Sequence, residues 1–171
     1  IMNVFLKKIK SISLFLFTLI LFSSQAFAGV TYVDSFDVSS QETLPTSVQF
    51  NSDGTKMFVL GSDSDDVNEY TLSTGFDVST ASFVDSFDVS SQATTPEGLA
   101  FNSDGTKMFV LAASGDDKVN EYTLTTGFDV STASYDSNFG VSSQDQAPHG
   151  LAFNSDGTKM FFLGNVVDHV F

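Results

Sequence analysis

The stretch FNSDGTKMF occurs three times without one change, at 50–58, 101–109 and 153–161. The copies begin 51 and 52 residues apart. The segments around them return at the same period. VDSFDVSSQ stands at 33–41 and 84–92 and decays to DSNFGVSSQ at 136–144. VNEYTL stands at 67–72 and 119–124, and TGFDVSTAS at 74–82 and 126–134. One extra residue in the loop before Val119 accounts for the change in spacing. A repeat of this length is one supersecondary unit that buries its apolar surface only against its neighbours.

Each unit reads as four short strands. In the second copy the first strand is 98–101 (GLAF), after Pro96. NSDG follows as a turn, since Asn and Asp bond nearby backbone and Gly105 tolerates a positive φ. The second strand is 107–112 (KMFVLA). Met108 and Val110 alternate with Phe109 and Leu111, so both faces are apolar and both must be covered. An acidic loop leads to the third strand, 119–124. The fourth is expected near 135–141, with better-preserved counterparts at 83–89 and 32–38. No segment after residue 28 carries a helical period.

Four antiparallel strands every 51 residues or so, with a doubly apolar second strand, predict an all-β protein built of β-propeller blades. Phe50, Phe58 and their copies are then expected between blades. The hairpin FNSDGTKMFVL with VNEYTL resembles the F-x-P-D-G hairpin of the bacterial YVTN/NHL-type propeller repeats. The FDVSTAS and VDSFDVSSQ linkers resemble those of secreted marine-bacterial and phage proteins. Ser52, Ser103 and Ser155 depart from that pattern, standing where such repeats often carry proline. The resemblance implies a propeller and says little about chemistry.

Residues 1–28 have a different character. Lys7, Lys8 and Lys10 precede the apolar run ISLFLFTLILF at 12–22, and AFA follows at 26–28. This order predicts a secretory signal cleaved after Ala28, with the mature chain periplasmic or extracellular and no membrane span left. All 21 acidic residues lie beyond residue 28, against four lysines, so 29–171 carries a net −17. That field repels phosphate backbones and excludes nucleic acid as a partner class. The chain has no cysteine, so no disulfide holds it.

The expected organisation is a strand at 30–39, units at 44–90 and 95–141, and a partial unit at 147–171. Residues 161–171 align with 58–68, which places the end of the sequence where a third strand should begin. This amounts to about 2.75 units, an incomplete ring, where closed propellers use four to eight blades. The reading is therefore an N-terminal portion of a ring of six to eight blades, with the 32–38 strand closing it.

Candidate functional residues are sought where the copies differ. The residue after the first-strand proline is Thr46, Glu97 or His149. These should lie side by side at the mouth of the channel and could bind a cation or a sugar. The second variable place is the loop holding Asp63, Asp65 and Asp66, a weak candidate for calcium. It lacks the EF-hand glycine and distal glutamate, and a solvated acidic loop is the preferred reading. Asp77 and Asp129, each before Ser-Thr, are expected to cap turns. No nucleophile elbow, phosphate loop or paired zinc histidines occur. The expectation is a non-catalytic scaffold for an unknown protein or glycan ligand. The alternatives are a metal-assisted lactonase- or lyase-like enzyme at the channel mouth and a surface adhesive array.

Overall fold

The computed structural model describes residues 32–115 and 117–171. The signal-peptide reading falls on residues outside these. Residues 33–171 form one compact unit.

Two four-stranded antiparallel sheets and the first hairpin of a third follow one another along the chain. The first blade is β1 (Pro45–Phe50), β2 (Lys56–Gly61), β3 (Asp66–Leu72) and β4 (Ala81–Asp88). The second is β5 (Pro96–Phe101), β6 (Lys107–Ala112), β7 (Lys118–Leu124) and β8 (Ala133–Gly140). The third holds β9 (Pro148–Phe153) and β10 (Met160–Gly164). First strands begin two residues before the predicted start, at the proline, and fourth strands begin and end earlier than predicted. Single 3₁₀ turns at Val78–Thr80 and Val130–Thr132 are the helical elements among the described residues. Asp77 and Asp129 cap them, accepting from Ser79 N and Ser131 N at 3.2 Å.

The repeated nonapeptide makes the hairpin between first and second strands. Lys56 N donates to Asn51 Oδ1 at 2.9 Å, and Asp53 Oδ1 accepts from Thr55 N and Thr55 Oγ1. Gly54, Gly105 and Gly157 all take φ near +71°, a conformation that favours glycine. The GFD segment tucks beneath this hairpin. Phe76 N donates to Gly54 O, and a Cβ on Gly54 would lie 2.4 Å from the Phe76 ring. Phe76 and Phe128 themselves sit at φ +61° and +59°, where a bulky residue is strained. Ring packing offsets that strain: Phe128 lies 5.5 Å from Phe101 and 6.1 Å from Phe58.

The two faces of each second strand go to different interfaces, as the alternation requires. Phe58 and Leu60 of the first blade join Leu99, Met108, Val110 and Ala112 of the second in one buried cluster. Leu111 and Phe109 turn the other way, toward Leu151, Met160 and Phe162 of the third. The same aromatic pair recurs at both junctions. Phe58 meets Phe101, and Phe109 meets Phe153, each with ring centroids 4.5 Å apart. A polar clamp accompanies it. Buried Glu69 accepts from Lys56 Nζ at 2.5 Å and from Val130 N of the second blade at 3.0 Å. Lys56 Nζ also donates to Phe128 O at 2.6 Å.

First strands pack beside one another, β1 on β5 and β5 on β9, while fourth strands stand apart. The blades therefore converge on their first strands. At Gly98 the approach is close enough that a Cβ would sit 3.0 Å from Leu151 Cβ.

Residues 33–38 form no strand ladder among the described residues, and the sequence reading gave this strand no partner within the chain. The segment still occupies a fourth strand's place. Phe36 meets Tyr70 edge-on at 5.5 Å and 76°, as Phe87 of β4 meets Tyr122 at 5.5 Å and 79°. At the other end the third strand has already begun. Phe162 and Phe171 exchange both backbone hydrogen bonds, and Val170 bridges Leu163. That register matches Val119 opposite Leu111 in the second blade.

Gly54→Ala and Gly157→Ala impose the same backbone strain, but nothing lies within 4 Å of a Cβ at Gly157. Chemical denaturation should show about 1–2 kcal/mol lost for Gly157→Ala, and roughly a further 1–3 kcal/mol for Gly54→Ala, where Phe76 must move. Equal losses would mean that the GFD segment is not packed under the hairpin.

Candidate functional site at the inner rim

The proline that opens each first strand is followed by an irregularity in the ladder. Register shifts between Pro45 and Ser47 and between Pro96 and Gly98, leaving Thr46 and Glu97 as bulge residues. A bulge turns its side chain out of the regular alternation. Both side chains reach across to the next blade. Thr46 Oγ1 donates to Pro96 O at 2.9 Å. Glu97 Oε2 lies 3.3 Å from His149 Nδ1, with the carboxylate one-quarter exposed and the imidazole 42% exposed. In the third blade the shift falls one residue later, at Gly150 with φ +56°, so His149 is in the ladder.

The three rim residues predicted from their variability are therefore neighbours on successive first strands. Glu97 and His149 come together as a polar pair. Thr46 does not join them, because its hydroxyl is engaged by the backbone of the second blade. His149 also lines a cavity of about 360 Å³ with Leu163, Asn165, Asp168 and His169. The two histidines, 20 residues apart in sequence, thus border one space.

Asp63 accepts from Thr43 Oγ1 at 2.6 Å. Asp65 takes φ +54°, as its counterparts Asp117 and Asp168 take +41° and +55°. The main-chain oxygens of Asp65 and Asp117 accept from Val89 N and Val141 N, the first residues after β4 and β8. The recurrence of Asp here has a backbone cause, since Asp tolerates the left-handed region. Burial, then the neighbouring Asp88 and Glu42 charges, raises the pKa of both Asp65 and Asp66. Among the described residues, no three Asp, Glu, His or Cys side chains are grouped to hold a metal ion.

A pair of buried acids escaped the sequence reading. Glu42, 2% exposed, follows the VSSQ turn and accepts from Leu44 N, Asp63 N, Ser64 N and Ser64 Oγ at 2.6–3.4 Å. Asp145, its counterpart in the third blade, accepts from Ala147 N, Val166 N and Val167 N at 2.7–3.0 Å. Each acid fills the space a side chain would need at the end of the second strand. A Cβ on Gly61 would lie 1.9 Å from Glu42 Cδ, and one on Gly164 2.5 Å from Asp145 Oδ2. In the second blade both positions are alanine, Ala93 and Ala112, and both are fully buried. The signal was present in the copies: Glu with Gly, Asp with Gly, Ala with Ala.

No protein-family model matches this chain, and no curated protein matches it either. Solved structures do match. A putative 6-phosphogluconolactonase from Bacteroides fragilis is 12% identical, with a TM-score of 0.58 over 74% of this chain and 33% of its own. The periplasmic gluconolactonase of Pseudomonas aeruginosa is 17% identical, TM-score 0.53, over 74% and 34%. The β-propeller domain of Cps50 (Swd1) from Myceliophteria thermophila is 8% identical, TM-score 0.53, over 74% and 38%. The fold is that of β-propeller blades. The ring is not closed within this chain, which spans about a third of the length of the structures it matches. At these identities the likeness is one of fold, and the YVTN/NHL resemblance has no sequence-family match behind it.

Burial raises the pKa of Glu42, but four hydrogen bonds to its carboxylate outweigh that and hold it below the usual carboxylate value. The stability it contributes is present above the unfolded value near 4.3 and is lost as pH falls through the lower folded one. Glu42→Gln should cost about 1–3 kcal/mol at pH 7. The gap to wild type should close between pH 5 and 3, followed by thermal unfolding at each pH. A gap that stays constant would show that the ionised carboxylate does not act there.

Proposed function

We propose that this chain is an exported β-propeller scaffold that binds a glycan at its inner rim without catalysing a reaction. One observation carries the reading. Glu97 and His149 differ between otherwise near-identical blades, meet at 3.3 Å across a blade junction, and keep their polar heads open to solvent. A carboxylate and an imidazole in that setting offer an acceptor and a switchable donor to sugar hydroxyls. The surface favours such a ligand, since a net charge of −14 over the whole sequence disfavours phosphate-bearing ones. Export rests on the order of charge, apolar run and small residues in 1–28.

A second reading has its own support. Glu97 with His149 is also an acid–base couple, and two of the similar structures are named as a putative 6-phosphogluconolactonase and a periplasmic gluconolactonase. Lactone hydrolysis would use the couple to activate water.

One set of proteins separates the two. Wild type, Glu97→Ala and His149→Ala are compared on a glycan array and in a δ-lactone hydrolysis assay, with thermal melts alongside. The scaffold reading expects glycan binding by wild type, a loss of tenfold or more in both variants, melts within about 2 °C of one another, and no hydrolysis above buffer. Hydrolysis that disappears in both variants would replace it with the enzyme reading. Collapse of the fold in either variant would overturn the rim as a binding place.

A further inference from the structure

Charge is sorted along the strands. The register gives each blade a rim end, where Pro45 pairs with Gly61 and Pro96 with Ala112, and a hairpin end, where the NSDG turns lie. Of the four lysines beyond residue 28, Lys56 and Lys107 open second strands and Lys159 stands just before β10, so all three belong to the hairpin end. The aspartates there are engaged. Asp53, Asp104 and Asp156 each accept from a Thr hydroxyl at 2.6 Å, and Asp77 and Asp129 each from a Ser hydroxyl at 2.6 Å. The rim end has one lysine, Lys118, and the two histidines. Against them stand Asp63, Asp65, Asp66, Asp88, Asp117 and Asp168, besides the buried Glu42 and Asp145. Asp66 and Asp88 lie directly opposite one another in the β3–β4 ladder, an unfavourable pairing of like charges. Asp117 is only 7% exposed, and its Oδ1, like that of Asp65, is buried without a hydrogen-bond partner among the described residues. The rim end is therefore short of positive partners. A field of this sign reaches about 10 Å at 0.1 M ionic strength, so it acts on whatever sits at the rim.

Glu97 stands in this field with one oxygen spare. Its Oε2 faces His149 Nδ1 at 3.3 Å, and among the described residues Oε1 takes no hydrogen bond. A carboxylate beside Nδ1 favours the tautomer that carries its proton there, which leaves Nε2 an acceptor. The pair thus presents an acceptor on each residue. A sugar hydroxyl satisfies one of them with a single neutral hydrogen bond. An ammonium brings three donors and the opposite charge, and a charge-assisted bond is about twice as strong as a neutral one. We infer that the rim takes a glycan bearing free amino groups, with an ammonium on Glu97 Oε1 and a neighbouring hydroxyl donating to His149 Nε2. The inference rests on the glycan reading above and narrows it to amino sugars that are not N-acetylated. Thr46 takes no part, since its hydroxyl is engaged by Pro96 O. Because the attraction acts between partly exposed charges, binding weakens with added salt.

The test uses protein purified from cells that express the full sequence, and two probes of equal length, an oligomer of glucosamine and one of N-acetylglucosamine. Titration calorimetry at pH 7 should show the glucosamine oligomer binding roughly tenfold or more tightly than its N-acetylated counterpart. That margin should shrink to about threefold or less when salt is raised from about 0.05 M to about 0.5 M. Glu97→Gln keeps the shape of the side chain and removes its charge. It should bring the two probes within about threefold of each other at low salt while the thermal melt stays within about 2 °C of wild type. An N-acetylated probe bound as tightly as the amine overturns the inference and leaves the glycan reading standing. Failure of both probes on a protein that binds other members of the glycan array does the same, and absence of all glycan binding removes both. Oligolysine serves as the control for a surface that responds to charge alone. If it competes as well as the glucosamine oligomer does, the sugar is not what is recognised and the inference fails. Should Glu97→Gln unfold, the wild-type margin, its salt dependence and the oligolysine competition decide by themselves.

Discussion

A second strand with apolar side chains on both faces cannot stand at a surface. In this chain Phe58, Leu60, Met57 and Val59 occupy one six-residue strand and point alternately to two sides. The strand must be the middle layer of a stack, and everything else follows from that need. Each blade must offer its neighbour a matching face, so the residues that pack are copied with little change. The Phe58–Phe101 and Phe109–Phe153 contacts have the same 4.5 Å separation because they are the same contact made twice. The Lys56–Glu69 clamp adds direction, since Glu69 Oε2 receives Val130 N from the following blade's turn, and a blade stacked the wrong way round would leave that buried oxygen without its donor.

Stacking also decides where variation is tolerated. The first strands of successive blades converge, so that a Cβ on Gly98 would press on Leu151 Cβ at 3.0 Å. The bulges at Thr46 and Glu97 turn the residue after each proline toward the next blade. A position that faces a neighbour yet keeps solvent access can change from copy to copy without disturbing the stack. Thr46, Glu97 and His149 show three chemistries on one backbone plan, one engaged by the backbone and two engaged by each other.

Much of this was legible in the residues. Period, strand order, the two-faced second strand and the aromatic junctions follow from alternation and repetition alone, and those are local properties that survive in a string of letters. The shared strand position of Thr46, Glu97 and His149 was legible too, because variability at one register position is visible in the copies. What was hidden depends on backbone conformation. Nothing in TGFDVSTAS announces that Phe76 adopts a left-handed conformation, since phenylalanine rarely does. The rim bulges leave no mark either, because a proline followed by Thr or Glu is compatible with a regular strand start. The 33–38 segment has the letters of a strand and no ladder partner among the described residues, though Phe36 meets Tyr70 as Phe87 of β4 meets Tyr122. Glu42 and Asp145 were readable in principle through their pairing with Gly61 and Gly164, a relation between distant positions that a scan along the chain does not compare.

The central claim, that successive repeats stack face to face through their aromatic residues, is tested most directly by a double-mutant cycle on Phe58 and Phe101. The two rings belong to different repeats and lie 43 positions apart in sequence. Unfolding free energies of wild type, Phe58→Leu, Phe101→Leu and the double variant would be measured in urea. The account predicts a coupling of about 0.5–1.5 kcal/mol, the range for a tilted aromatic pair in contact. Losses that add within roughly 0.3 kcal/mol would contradict it, since independent residues behave that way and stacked ones do not.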